Sequence, residues 1–131
     1  MLYDRRRSER VPLATEVLLL DQCARPDGMV TCDAGDVSTS GMLVYPRHPL
    51  NTGRTLRVFF PILVGGHEQW LDLDAFQTRE VREHDLYGWG LMFLHLSFVA
   101  SDLLGTYVDE TLGRLAMLEE NASAFPGHSM R

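Results

Sequence analysis

Six short apolar stretches, separated by turn residues, limit what this sequence can fold into. They span residues 12–21, 29–34, 42–45, 55–60, 69–83 and 87–96. Several alternate apolar with polar residues, the period-two pattern of a half-buried strand. Consecutive strands with short connections pair antiparallel, because parallel pairing needs a crossover of a dozen or more residues. The sequence therefore predicts an all-β fold, an antiparallel barrel or sandwich.

Turn residues occur between these stretches. Pro26-Asp27-Gly28 predicts a turn, because Pro has a fixed φ and Gly a freely variable one. The strands on either side of this turn should pair, so residues 12–34 should form a hairpin. Gly65-Gly66 predicts a second turn, and the two prolines, Asn and Gly within residues 46–53 predict a loop. Residues 35–41, with the sequence GDVSTSG, predict a polar loop between the second and third strands.

The pattern changes after Phe98, where apolar residues recur at helical spacing. Ser101 or Asp102 is a suitable N-cap, and a helix over about 101–119 should follow. Its apolar stripe consists of Leu104, Val108, Leu112 and Leu115. We expect this stripe to dock across the barrel, and contact with a partner or a second copy is the alternative. Residues 120–131 are predicted to be a frayed tail.

The charge distribution is uneven. The chain has 131 residues, enough for one domain, and a net charge of −6. Residues 1–10 hold four arginines against Asp4 and Glu9, so a basic arm precedes an acidic body. The arm is predicted over 1–11 and the body over 12–119. We expect the arm to be mobile without ligand. This balance argues against nucleic acid as a partner. All 12 basic residues are arginines, whose planar forks suit phosphates and guanine edges.

The cysteines and the apolar runs bear on location. Two cysteines, Cys23 and Cys32, do not make a disulfide framework, which favours a reducing compartment. The longest aliphatic run is residues 17–20, far too short to insert into a membrane, and no signal peptide is apparent. We therefore expect a cytoplasmic protein.

Two motifs carry the chemistry. Arg6-Arg7-Ser8-Glu9-Arg10 places two arginines four apart, directly before the first strand. Asp36-Val37-Ser38-Thr39-Ser40-Gly41 follows, in the predicted loop after the second strand. Alone, the first is typical of a solvated patch, and the second is typical of a turn held by Asp and Ser side chains, with Gly at positive φ.

In this order and strand context, the two motifs resemble the RxxxR and [D/N]xSxxG motifs of the PilZ domain family. The resemblance implies a six-stranded antiparallel β-barrel with a helix near one end, which agrees with the strand count above. It also implies a bacterial receptor for the second messenger cyclic di-GMP (c-di-GMP). Members that bind no nucleotide usually lack the motif residues, which are all present here.

The motif residues suit this ligand. Arg6 and Arg10 match the motif arginines and can pair with guanine O6 and N7 or with phosphate. Asp36 can accept hydrogen bonds from guanine N1–H and the amino group. The Ser38 hydroxyl can bond a base, a phosphate or adjacent backbone. Gly41 would let the backbone turn and leave room for the ligand.

Three further residues are weaker candidates for ligand binding. In PilZ domains, an arginine just before RxxxR is associated with an intercalated dimer of the nucleotide, and Arg5 occupies that position here. Arg7 either adds to the site or faces solvent. Trp89 either packs in the core or at the barrel rim, or else forms a stacking wall for a guanine. For Trp70 the same two alternatives apply, packing or stacking against a guanine.

Neither catalysis nor a metal site is indicated. The histidines stand singly and form no ligand spacing with either cysteine. Asp72 and Asp74 share one strand face, which a solvated surface explains. The serines lack the His and acid partners of a nucleophile. We therefore expect no enzyme activity, no metal and no cofactor, with c-di-GMP as a ligand only.

The resulting hypothesis is a single-domain c-di-GMP receptor. Ligand would bridge the arm to the loop at 36–41, order the arm and change the surface offered to an unidentified downstream protein. We expect a monomer or a weak homodimer. The alternative is a PilZ-like adaptor that acts by protein contact, with a weak or vestigial nucleotide site.

Overall fold

The computed structural model describes residues 9–21, 29–47, 55–83 and 85–124. Within these ranges the chain forms seven strands followed by one helix. The elements are β1 (Val11–Pro12), β2 (Glu16–Asp21), β3 (Met29–Val37), β4 (Gly41–Pro46), β5 (Thr55–Val64), β6 (His67–Glu83), β7 (Leu86–Leu94) and α1 (Phe98–Ala124). The predicted turn at 26–28 and most of the predicted loop at 46–53 lie outside the described residues, as do residues 125–131 of the predicted tail.

Six antiparallel strands close into a barrel. The hydrogen-bonded order is β3-β2-β5-β6-β7-β4, and pairing of β4 back onto β3 closes the ring. Strand β1 lies outside this ring and pairs with the end of β3, beyond the part of β3 that pairs with β2. The prediction of a six-stranded antiparallel barrel with a C-terminal helix is confirmed.

The outside strand and the end of β3 differ from the sequence prediction. The predicted first strand is divided into β1 and β2, and the connection still bonds to β3, with Ala34 N donating to Thr15 O at 3.0 Å. The prediction of a loop for residues 35–41 is wrong at both ends. Residues 35–37 belong to β3, since β1 and β4 both pair with this stretch, and Gly41 begins β4.

Alternation along the strands determines which residues form the core. Leu56, Val58 and Phe60 of β5 are fully buried. Strand β5 continues past the predicted end because Ile62, also buried, extends the same inward face. On β6 the inward residues are Leu71, Leu73 and Ala75.

The first half of α1 covers one side of the barrel. Its N-cap is Ser97, whose Oγ accepts a hydrogen bond from the Ala100 N–H at 3.1 Å, so the predicted cap at Ser101 or Asp102 is wrong. Leu104 and Val108 are fully buried. The Tyr107 hydroxyl donates to the Pro12 carbonyl at 3.1 Å and thereby ties the helix to β1.

The second half of α1 extends beyond the barrel. Its 27 residues span roughly 40 Å at 1.5 Å per residue, and the helix reaches into the predicted tail. Leu115, predicted to be core, is 41% exposed, and Met117 and Leu118 are more exposed still. Therefore only the first half of the helix docks on the barrel, as predicted for the whole stripe. No helix in the described ranges is long and apolar enough to cross a bilayer.

Candidate functional site

Some of the predicted site residues can be placed and others cannot. Arg5, Arg6 and Arg7 lie outside the described residues. The structure brings Arg10, Asp36, Ser38 and Gly41 together at one end of β3 and β4. It places Trp89 elsewhere, inside the barrel.

An ion pair joins the two motifs. Arg10 Nη1 lies 2.8 Å from Asp36 Oδ1, although the residues are 26 apart in sequence. They meet because β1 pairs with the end of β3 and puts Pro12 opposite Asp36. The two side chains are 42% and 29% exposed, and such a pair stabilises a fold by only about 0–1 kcal/mol. The pair is therefore a weak contact that either side chain can exchange for another partner.

Ser38 organises the turn between β3 and β4. It is only 1% exposed, and its Oγ accepts hydrogen bonds from the backbone N–H groups of Ser40 (3.1 Å) and Gly41 (3.3 Å). Ser38 N donates to Gly41 O at 2.9 Å. Of the partners predicted for this hydroxyl, the structure supplies adjacent backbone. Ser38 thus holds the turn that follows Asp36.

Gly41 is required by close packing rather than by turn geometry. A Cβ at this position would lie 2.2 Å from the carbonyl oxygen of Leu91 on β7. Positive φ occurs, among the described glycines, at Gly65 and Gly66 of the predicted turn. The absent side chain makes room for β7, and the expectation of a positive φ at Gly41 is corrected.

Trp89 is a core residue. Its side chain is fully buried, and its indole N–H donates to the Tyr87 hydroxyl at 2.7 Å. That hydroxyl donates in turn to Glu80 Oε1 at 2.8 Å. Of the two interpretations of Trp89, the structure supports packing, because a base reaches this ring only if the barrel opens. Trp70, by contrast, is 60% exposed on β6.

Two outward side chains of β4, Leu43 and Tyr45, form a surface that we call the outer platform. Leu43 lies opposite Asp36 on β3. A Cβ at Gly35 would lie 2.8 Å from the Tyr45 ring, and a Cβ at Gly88 would lie 3.0 Å from it. The ring therefore lies flat between β3 and β7. Sequence reasoning missed this surface. The sequence feature that could have indicated it is a glycine on each neighbouring strand, Gly35 and Gly88.

Two further ionisable side chains in the described ranges, those of Cys32 and Arg47, have raised pKa values. Burial, followed by the charge of Asp33, raises the pKa of the Cys32 thiol to about 12, so the thiol is protonated and inert near neutral pH. Hydrogen bonds to Asp33 and Glu16 raise the pKa of Arg47, whose guanidinium forms ion pairs with both carboxylates. Within the described ranges, no three His, Cys, Asp or Glu side chains cluster in a way that suits a metal ion.

Comparison with solved structures gives the same fold. The PilZ domain of YcgR from Escherichia coli, solved with c-di-GMP, is 17% identical, with a TM-score of 0.61 over 90% of this chain and 98% of that chain. The Bacillus subtilis inhibitor of motility MotI/DgrA is 14% identical, with a TM-score of 0.67 over 87% of this chain. This chain spans about half of the MotI/DgrA chain, 52%.

A third structure and the sequence comparison complete the assignment. The PilZ domain of CeSA from a cellulose-synthesizing bacterium is 19% identical, with a TM-score of 0.50 over 81% of this chain and 97% of that chain. No curated protein matches the sequence. The family model described as PilZ domain matches residues 4–110, and on this match the chain belongs to the PilZ domain family.

Proposed function

We propose that this PilZ domain is a receptor for c-di-GMP and acts without catalysis. The observation that carries the proposal is the Arg10–Asp36 ion pair, which joins the RxxxR motif to the DxSxxG motif on an accessible surface. Two similar structures, the YcgR PilZ domain and YcgR of Escherichia coli, contain c-di-GMP. The second of these is 17% identical, with a TM-score of 0.55 over 97% of this chain and 51% of that chain.

The chemistry of the pair suits a guanine nucleotide. The Arg10 fork offers paired donors to a phosphate or to guanine O6 and N7. The Asp36 carboxylate offers an acceptor to guanine N1–H and the amino group, a pattern that adenine lacks. Arg6 would supply the second motif fork, with Arg5 and Arg7 adding positive charge beside it. Ser38 and Gly41 would act indirectly, by fixing the turn that follows Asp36.

The ion pair also suggests how binding is relayed. In the proposed mechanism, the nucleotide takes over Arg10 from Asp36 and bridges the arginines of the arm to the end of β3. The arm is thereby ordered against β1 and β3, which changes the surface offered to a downstream protein. The ligand drives this change because it binds the bridged state better than the open one.

A second candidate function is an adaptor that works by protein contact alone. It is favoured by the exposed apolar end of α1, where Leu115, Met117 and Leu118 face away from the barrel. In that case the nucleotide site would be weak or vestigial. The same apolar end would serve either a partner protein or a weak homodimer.

Replacing Arg10 with Ala should weaken c-di-GMP binding about tenfold to a hundredfold, because one paired contact contributes roughly 1–3 kcal/mol. Arg6→Ala should have an effect of the same size. Isothermal titration calorimetry measures both. Arg57→Ala is the matched control, since Arg57 is also about half exposed (43%) and pairs with an exposed carboxylate, Asp72. Full affinity in both motif variants would reject the assignment.

A further inference from the structure

Four residues on adjacent strands form a row across the outside of the barrel. Asp36 of β3 lies opposite Leu43 of β4, Leu43 lies opposite Gly90 of β7, and Gly90 lies opposite Arg79 of β6. The sequence neighbours Val37, Met42, Trp89 and Leu91 are buried inside, so the row faces outward. Arg79 thus lies on the same surface as Asp36, three strands away.

Gly90 allows the Arg79 side chain to lie across the sheet. A Cβ at Gly90 would lie 2.9 Å from Arg79 Nε and 3.0 Å from its Cγ. The side chain therefore covers β7. A register shift between Gln77 and Arg79 sets this position, and the Thr78 hydroxyl donates to Gly90 O at 3.1 Å beside it.

Among the described residues, no carboxylate forms an ion pair with the guanidinium of Arg79. Arg10, Arg47 and Arg57 each pair with a carboxylate. Arg79 is exposed and pairs with no carboxylate in the described ranges, although the chain as a whole is acidic. An arginine that lies over a glycine without a carboxylate partner is suited to an external phosphate or guanine edge.

The outer platform lies between Asp36 and Arg79, because Leu43 belongs both to the platform and to the row. Leu43 forms its centre, and in the next row the exposed side chains of Met92 and Phe76 extend the apolar surface. Neighbouring strands are about 4.8 Å apart, so Asp36 and Gly90 are separated by about 10 Å. A ligand held at both ends must therefore be wider than one contact edge, as a two-base nucleotide or a stack of bases is.

We propose that Arg79 is an additional ligand-binding arginine and that the outer platform is the floor on which the second guanine lies. The nucleotide would then lie across the row of four strands, from Arg10 and Asp36 at one edge to Arg79 at the other. This inference rests on the proposed function, and it assigns to that site a subsite outside both sequence motifs.

Calorimetric titration of c-di-GMP into the Arg79→Ala variant tests the subsite. We expect an affinity loss of about tenfold to a hundredfold, the range for one lost paired contact. Arg82→Ala is the matched control, since Arg82 is an exposed arginine on the same strand that lies 5.5 Å from the Tyr87 ring centre. It removes the same charge and should leave the affinity unchanged.

Two further variants separate position from charge. Gly90→Ala keeps Arg79 but displaces its flexible side chain, so affinity should fall while the barrel stays folded. Arg79→Lys keeps the charge but lacks the fork, so affinity should again fall. It also serves as the test if Arg79→Ala does not fold. Near-ultraviolet circular dichroism confirms that each variant is folded.

The outcomes separate this inference from the proposed function. If the wild type binds c-di-GMP and Arg79→Ala binds as tightly as Arg82→Ala, the subsite is wrong and the receptor assignment stands. If Arg79→Lys binds c-di-GMP as tightly as the wild type, the proposed two-donor contact between the Arg79 guanidinium and the ligand is wrong. If the wild type does not bind, the receptor assignment fails and the subsite fails with it.

Discussion

Replacing Trp89 with Ala should lower the free energy of unfolding by about 3–5 kcal/mol, the range for truncating a large buried aromatic residue. The side chain is fully buried, so its loss leaves a cavity inside the barrel. It also removes the donor to the Tyr87 hydroxyl. A single domain is typically stable by about 5–15 kcal/mol, so this variant should be close to unfolding. Urea denaturation, followed by circular dichroism, measures the change.

The Trp89→Phe variant separates core packing from ligand stacking. Phe keeps most of the buried volume, so the protein should fold with a smaller loss of stability. Its affinity for c-di-GMP should equal that of the wild type, because the ring lies inside the barrel. A folded Trp89→Phe variant with greatly weakened binding would contradict the core assignment and return Trp89 to the site.

Replacing Gly41 with Ala should destabilise the barrel by about 1–3 kcal/mol or more. The new Cβ would lie 2.2 Å from the Leu91 carbonyl oxygen, which is main chain and cannot turn away. Strand β4 or β7 must therefore shift, and the turn at Ser38 shifts with it, since Ser38 Oγ bonds to Gly41 N. Affinity for c-di-GMP should fall together with stability. Thermal melts and calorimetry measure the two effects.

A glycine on α1 provides the control for this substitution. A Cβ at Gly113 would meet no atom within 4 Å, and the helix favours Ala over Gly by about 1 kcal/mol. Gly113→Ala should therefore raise the melting temperature and leave binding unchanged. If Gly41→Ala were as stable as the wild type, the close approach of β4 and β7 would be wrong.

Local pattern was sufficient to predict the barrel's strands and core, because alternation along a strand reports which face is buried. Leu56, Val58 and Phe60 illustrate this. The errors occurred where distant partners decide the structure. Residues 35–37 have loop composition, yet they form strand because β1 and β4 pair with them. Leu115 has the helical spacing of a core residue, but the barrel does not reach that far.

The motifs predict the candidate site, but they do not reveal how the fold holds each of its residues. The burial of Ser38 follows from the compact turn, and the need for glycine at position 41 follows from the Leu91 carbonyl fifty residues away. The row that ends at Arg79 depends on register shifts in β3 and β6, which sequence alone does not place. The pairing of Arg10 with Asp36 agrees with the two-motif site, although no spacing in the sequence gives its geometry.

Titration calorimetry of the wild-type protein with c-di-GMP, with GMP and cyclic di-AMP as controls, tests the central claim most directly. The receptor assignment predicts saturable binding of c-di-GMP that neither control reproduces. The stoichiometry then distinguishes one nucleotide from the intercalated pair suggested by Arg5. No heat at high ligand concentration, together with an unchanged melting temperature, would contradict the assignment and favour the adaptor.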